Sequence, residues 1–246
     1  MRYLHLLRLI LHLFAGMATC AFIFPRLDDA GRRQRIKNWS AKLLSICGVR
    51  VTLRQAQGAG SAHHALIVAN HLSWLDIFVI NSIEPCRFVA KSEIRGWPLV
   101  GWLCDKAGTI FIARGKQRDV RRIYEGLVHR LQAGERVAFF PEGRAIIQGQ
   151  VADFHTNLFE AAIVANVPVQ PYALRYLDSE GGLNHAVDFG EPISLGQSVL
   201  SILASRDLHA ELTLLPVIYG EGVHRRELAL AARSRIAQEL DWDISA

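Results

Sequence analysis

Four cysteines in 246 residues, Cys20, Cys47, Cys86 and Cys104, are widely spaced and form no C-x-x-C pair. That spacing supports neither a zinc site nor a disulfide framework. It fits a reducing compartment in which each thiol is a small buried hydrophobe. A Gly-x-Ser-x-Gly elbow is missing, so a serine hydrolase of the α/β type would lack its nucleophile turn. The chain has no recognised nucleic-acid module and no basic–aromatic sheet signature, and a nucleic-acid partner is not expected. Internal repeats and low-complexity tracts are likewise missing, as is any linker that would split the body of the chain.

Apolar character is what the chain has in excess. Half of its residues are hydrophobic and its mean hydropathy is +0.16, high for a freely soluble protein and suggestive of membrane contact. The net charge of +5 is unevenly placed: residues 1–60 carry ten Lys/Arg against Asp28 and Asp29, a balance of +8, which leaves −3 for the rest. A basic amino-terminal segment on a near-neutral body suits an anionic membrane surface. Leu9 to Phe24 is almost uninterrupted apolar sequence, short of the roughly 20 residues a full span requires. A cleaved signal peptide fits poorly, because Ala18-Thr19-Cys20-Ala21 is a weak cleavage site. An uncleaved anchor is the expectation, either spanning the bilayer when Tyr3 to Pro25 is counted whole or lying in one leaflet. Arg32 to Gly48 follows as a helix with Ile36, Trp39, Leu43 and Ile46/Cys47 on one side and basic residues on the other. Two readings stay open: an interfacial helix with Trp39 at headgroup depth, or a helix packed on the domain with a solvated basic face.

From Arg50 onward strand and helix patterns alternate. Strands are expected near 50–54, 65–69, 86–90, 109–112, 136–140 and 168–175, with a helix from Gln117 to Gln132 closed by Gly134. Ala186–Phe189 and Leu212–Leu215 read as added edge strands, and Glu227 to Leu240 as a terminal helix. The expected fold class is α/β: a largely parallel sheet flanked by helices, with an amino-terminal membrane-associated helical segment. The expected division is residues 1–48 as anchor and amphipathic helix and 49–246 as the α/β domain.

Asn70-His71-Leu72-Ser73-Trp74-Leu75-Asp76 follows the apolar run Ala65–Ala69, which places His71 at the carboxyl end of a buried strand, where open α/β sheets hold ligands. Imidazole takes protons near neutral pH, and a carboxylate at its second nitrogen fixes the tautomer and stabilises the imidazolium. The bland alternative is a capping aspartate beside a structural histidine. Three further segments accompany the pair: Gly108-Thr109-Ile110-Phe111-Ile112-Ala113-Arg114, Phe139-Phe140-Pro141-Glu142-Gly143-Arg144, and Val167-Pro168-Val169-Gln170-Pro171.

In order and rough spacing these four segments resemble the sequence blocks of the glycerolipid acyltransferase family, which includes lysophosphatidic acid acyltransferases, and the resemblance spans Val49 to Ile193. The resemblance implies acyl transfer from a thioester to a hydroxyl, with His71 as general base and Asp76 holding its ring. It assigns Arg114 to the acceptor's phosphate, a task suited to a planar, permanently charged guanidinium. Glu142 and Gly143 match the third block: a tight turn with exposed amides for an oxyanion, and a carboxylate for a ligand hydroxyl or a nearby arginine. Arg144 joins them as a substrate-binding candidate.

The chain departs from the family at Ala113, where relatives carry Asp, and at Arg144-Ala145, where relatives place a threonine and then Arg or Thr. Gly149, Phe154 and Asn157–Ala162 resemble a bacterial branch that also acylates lyso-ornithine lipid. The expected activity is therefore acylation of a membrane lysolipid, most simply 1-acyl-glycerol 3-phosphate to phosphatidic acid, at the cytoplasmic face of the inner membrane. Acyl-CoA or acyl carrier protein would be the donor substrate, with no cofactor and no metal. Arg118, Arg121 and Arg122 read equally as a basic face for the acidic carrier protein and as a solvated helix face. The alternatives are a lyso-ornithine lipid acyltransferase and a catalytically weakened membrane scaffold.

Overall fold

The computed structural model describes residues 2–112, 117–190, 193–205 and 207–245. Two helices open the chain, α1 (Arg2–Ala18) and α2 (Asp29–Ile46), joined by a π-turn and a 3-10 turn through Arg26. The body then runs β1 (Val49–Gln55), β2 (Leu66–Ala69), α3 (Asp76–Ile83), β3 (Arg87–Lys91), α4 (Val100–Lys106), β4 (Ile110–Ile112) and α5 (Gln117–Gln132). It continues with β5 (Val137–Phe139), β6 (Gln150–Val151), α6 (Phe159–Ala165), β7 (Val169–Leu177), α7 (Leu195–Ala204), β8 (Leu208–Leu214), α8 (Arg225–Leu240) and β9 (Asp243–Ile244).

Seven strands form one sheet in the order β1-β8-β7-β2-β5-β3-β4, and β6 pairs with β9 apart from it. Strands β7, β2, β5, β3 and β4 are mutually parallel, so their carboxyl ends share one edge. β8 runs antiparallel to β7, and β1 is parallel to β8. Two of the expected edge strands are corrected. Leu212–Leu214 belongs to β8, an interior strand between β1 and β7, and Leu215 lies just beyond its end. Ala186–Phe189 is no strand: His185–Val187 is a 3-10 turn, held by the Asn184 side chain accepting from Ala186 N–H.

Strand β2 explains the layering. All four of its residues are buried, and their alternation sends Ile67 and Ala69 to one face and Leu66 and Val68 to the other. Ile67 and Ala69 join Leu43, Leu44, Leu75, Val79, Ile80 and Ile202 of α2, α3 and α7 and the turn before α3. Leu66 and Val68 join Leu127, Leu131, Phe159, Leu228, Ala232 and Ile236 of α5, α6 and α8. Cys20, Cys47 and Cys86 are buried and Cys104 is half-buried, all four as free thiols.

The run of β1 against β8 has a positional consequence. Because Val49 pairs with Leu208 and Leu177 pairs with His209, β1 begins at the edge where β2 ends. The α1–α2 pair therefore enters the body at the edge that carries His71. Trp39 of α2 stacks on His12 of α1 at 4.7 Å, donates from Nε1 to His12 O at 3.2 Å and meets Phe78 of α3 edge-on at 5.7 Å. That packing makes the indole a spacer between three helices, as the reading of α2 packed on the domain expects. Gly16 makes room for it, since a Cβ there would lie 2.6 Å from Trp39 Nε1.

Asn70 ties the end of β2 to β7: Nδ2 donates to Leu174 O and Oδ1 accepts from Leu174 N–H, each at 2.8 Å and fully buried. Asn70→Ala leaves a buried N–H and a buried C=O without partners. The expected loss is about 2–4 kcal/mol of unfolding free energy, measured by urea titration in detergent, and a loss within experimental error would refute the clamp.

Candidate functional site

His71 is the first residue but one beyond β2, at the carboxyl edge, and its ring is the partly exposed member of an otherwise closed network. Nδ1 lies 2.8 Å from Asp76 Oδ2; the His71 side chain is 20% exposed and Asp76 is 0% exposed. Asp76 opens α3, and its Oδ2 also accepts from Leu72 N–H at 2.7 Å and Ser73 N–H at 2.9 Å. Tyr176 of β7 donates its hydroxyl to Oδ1 at 2.7 Å. A carboxylate only accepts, so the proton between the pair sits on His71 Nδ1, and Nε2 is left with a free lone pair. Phe140 stacks on the imidazole at 4.2 Å with an interplanar angle of 12°, and Phe88 stands behind Phe140 at 5.7 Å. Ring, tautomer and backbone are thus fixed before any substrate arrives.

The turn after β5 supplies the support. Glu142 is 6% exposed, and its two oxygens accept from His71 N–H at 2.6 Å and Ala152 N–H at 3.0 Å. His71 O in turn accepts from Ile146 N–H at 2.7 Å. Glu142 is expected to meet a ligand hydroxyl or an arginine; in the structure its two oxygens hold the main chain of His71 and of Ala152. Gly143 does form the tight turn, at φ +69°, but its N–H is taken by Phe140 O at 3.1 Å and is not free for an oxyanion. A Cβ at this position would meet the His155 ring at 3.1 Å, so the turn and the neighbouring histidine both require glycine. Arg144 is exposed at the same edge and has no hydrogen-bond or ion-pair partner among the described residues. Arg114 and Ala113 lie outside the described residues, as do the side chains of Arg118 and Arg122. Strand β4 ends at Ile112, on the edge that carries His71. Arg121 pairs with Glu125 on the α5 surface at 2.9 Å. Ser73 is fully buried, its Oγ 3.4 Å from Leu75 N, and it offers no exposed nucleophile.

Two participants were not expected. Tyr176 lies a hundred residues from the aspartate it serves, and no local signal could mark it. Arg233, buried on α8, bonds Val151 O at 3.1 Å, Ser245 O and Asp153 at 2.5 Å, which fixes β6 just ahead of the Ala152 N–H that Glu142 accepts.

Burial pushes the Glu142 carboxyl up to about 7, against the lowering effect of the two main-chain N–H groups; the nearby Asp76 charge raises it further and Arg233 opposes it. The ionised form satisfies both donors, while desolvation works against it.

Comparison with known proteins brings one family forward. A family model described as Acyltransferase matches residues 50–175. The chain is 32% identical over 226 residues to a lyso-ornithine lipid O-acyltransferase of Pseudomonas aeruginosa, covering 90% of this chain and 86% of that protein. It is 43% identical over 116 residues to a 1-acyl-sn-glycerol-3-phosphate acyltransferase of Neisseria gonorrhoeae, covering 47% of this chain and 46% of the other. The crystal structure of a 1-acyl-sn-glycerophosphate (LPA) acyltransferase from Thermotoga maritima superposes with a TM-score of 0.68 over 98% of this chain and 97% of that one, at 20% identity, and so shares the fold.

The raised Glu142 carboxyl gives a stability signature. Between its ordinary value of 4.5 and about 7 the folded protein holds a proton there that the unfolded chain has released. Folding stability from this group therefore falls as pH rises through that window, by about 3 kcal/mol at full extent. Glu142→Gln removes the titration, so the difference in unfolding free energy, wild type minus variant, should decline from pH 4.5 to 7. A difference that is flat or rises with pH across that window would contradict it.

Proposed function

This chain belongs to the acyltransferase family, and from that premise we propose that it transfers a fatty acyl group from acyl-CoA or acyl carrier protein to the free hydroxyl of a membrane lysolipid. The observation that carries the reading is the His71–Asp76 pair, with Asp76 gathering four donors and Nε2 of His71 left bare at the sheet edge. In the proposed step Nε2 removes the proton of the acceptor hydroxyl as its oxygen attacks the thioester carbonyl. The tetrahedral intermediate collapses with loss of the thiol, to which the imidazolium returns the proton. Asp76 stabilises the imidazolium, Tyr176 and the two main-chain N–H groups hold Asp76, and Glu142 holds His71 from behind.

For the acceptor, 1-acyl-glycerol 3-phosphate is favoured by the exposed Arg144 in the turn after β5, without an ion-pair partner among the described residues and a cation suited to a phosphate, with Arg114 as its proposed companion. Lyso-ornithine lipid is the second reading. It is supported by the P. aeruginosa relative and by a Rhizobium meliloti protein of the same description, 30% identical over 87% of this chain. Gly143 contributes the turn that presents Arg144.

Tyr3–Arg26 is long and apolar enough to cross a membrane, by length and composition. One face, Leu9, Cys20 and Phe24, is buried, His5 bonds Ile46 O at 2.8 Å and His12 bonds Trp39 O at 2.9 Å. The opposite stripe, Leu4, Leu7, Leu11, Phe14 and Phe22, is exposed. A helix docked along its length on a folded body has lipid on one side only, which supports residues 1–48 lying in one leaflet with the basic α2 at its surface. The Lys/Arg excess of this segment supports the cytoplasmic leaflet of the inner membrane, where thioester donors are available.

His71→Ala should lower acyl transfer by about 10²–10⁴ with the melting temperature unchanged, and Tyr176→Phe by roughly tenfold in kcat. The measurement is a membrane assay with labelled acyl-CoA and acyl carrier protein over a panel of lysolipids. Arg144→Ala should raise the KM for a phosphate-bearing acceptor about tenfold and spare the donor. Near-normal turnover without His71 would end the mechanism.

Deletion of α1 would uncover Leu43 and Ile46, so the anchoring is better tested on its exposed stripe. Leu7→Glu with Phe14→Glu should move the protein from the membrane pellet to a salt-extractable form. A doubly charged variant still resisting salt would place the membrane contact elsewhere.

A further inference from the structure

Between β3 and β4 the chain builds an outward-facing segment that the chemistry at His71 does not use. Ser92–Gly96 makes a 3-10 turn, and Trp97-Pro98-Leu99 then leads into α4. Trp97, Leu99 and Trp102 are 44%, 52% and 38% exposed. Leu99 has φ +63° and ψ −51°, and Val100 N–H donates to Pro98 O at 2.7 Å across it. That is a γ-turn of the rare, strained hand, with a leucine where only glycine is at ease. Strain of this kind persists where the surroundings over-determine it.

The segment is well anchored. Gly101 is fixed by its neighbours, for a Cβ there would lie 2.2 Å from Arg95 O. Arg95 pairs with Asp105 at 3.1 Å and lies 5.6 Å from the Phe111 ring centre, while the Lys106 ammonium sits 5.9 Å over Trp102. The segment starts at the carboxyl end of β3, the edge that carries His71. It thus shares with the α1–α2 pair, which joins the body through the start of β1, one edge of the sheet, and α1 and the turn after it leave Phe14 and Phe22 exposed.

We propose that Trp97, Leu99 and Trp102 form a second membrane-contacting element, a wedge that enters the headgroup region of the bilayer beside α1. It rests on the membrane reading of α1 given above and adds a separate surface to it. Tryptophan pairs an apolar body with a polar N–H and favours that depth. Residues 91–106 carry Lys91, Arg95 and Lys106 against Glu93 and Asp105, a small cationic excess that suits an anionic lipid surface. Alongside α1, the wedge gives the body a second point of attachment, which fixes its rotation about the helix and so the direction in which the His71 edge opens.

The test uses the full chain in phosphatidylethanolamine–phosphatidylglycerol vesicles whose acyl chains carry bromine, a contact quencher of tryptophan. Wild-type emission should be quenched, and Trp97→Phe with Trp102→Phe should reduce the quenched part by roughly twofold or more, the remaining tryptophans being 39, 74 and 242. Leu99→Gly should keep or raise the melting temperature in detergent, because it relieves the turn, and still lower the quenching. These readouts need neither donor nor acceptor, so they stand or fall apart from the acyl-transfer reading. Equal quenching in wild type and the double Phe variant would overturn the proposal. So would a Leu99→Gly protein that melts lower and is quenched as before, since the leucine would then be serving the fold.

Discussion

One buried carboxylate organises the candidate site. Asp76 has no solvent contact and collects four donors: the imidazole of His71, two successive main-chain N–H groups and the Tyr176 hydroxyl. Each bond to an ionised acceptor is worth more than a neutral one, yet the larger point is geometric. From the first turn of α3 the same two oxygens close the turn that follows β2 and aim the histidine. Loss of the charge would loosen that turn and the imidazole together. The helix itself takes no side-chain cap, its N-cap being Leu75, so these bonds do not make Asp76 a capping residue.

A second carboxylate works from the opposite side. Glu142 bonds the main-chain N–H of His71 and of Ala152, so that two loops from different strands meet on it. Arg233 fixes β6 beside Ala152 and links the last helix of the chain to the edge that carries His71. His71 is thus held by the parallel strands on one side and by the carboxyl-terminal helix on the other, although no residue of α8 touches the imidazole directly among the described contacts.

Much of this was legible where burial or chemistry is local. Ala65–Ala69 reads as a strand because it is apolar on both faces, and the His71–Asp76 spacing is bridged within one turn. The failures have physical causes. β8 alternates Leu208, Ala210, Leu212 and Leu214 with His209, Glu211 and Thr213, and polar alternation suggests a half-solvated edge. Glu211 is nonetheless 3% exposed, bonded by Arg54 at 2.6 Å and Arg175 at 2.8 Å from the strands on either side. A buried ion pair across three strands imitates an edge in sequence. The bonds Glu142 makes to main-chain atoms are encoded in no side-chain pattern, and Tyr176 was missed because its partner is distant in the chain.

The antiparallel insertion of β8 also sets the order in which the molecule can be assembled. β1 pairs with β8 alone, so Val49–Gln55 has no strand partner until Leu208–Leu214 exists. At ribosomal speeds of about 5–20 residues per second, that gap is on the order of ten seconds or more. During it α1 has left the ribosome with the face it turns to α7 still uncovered, because α7 has not been made. A bilayer is a ready shelter for such surfaces. With the first helix attached as proposed above, attachment precedes closure of the sheet, and the edge that carries His71 is assembled in place rather than delivered there.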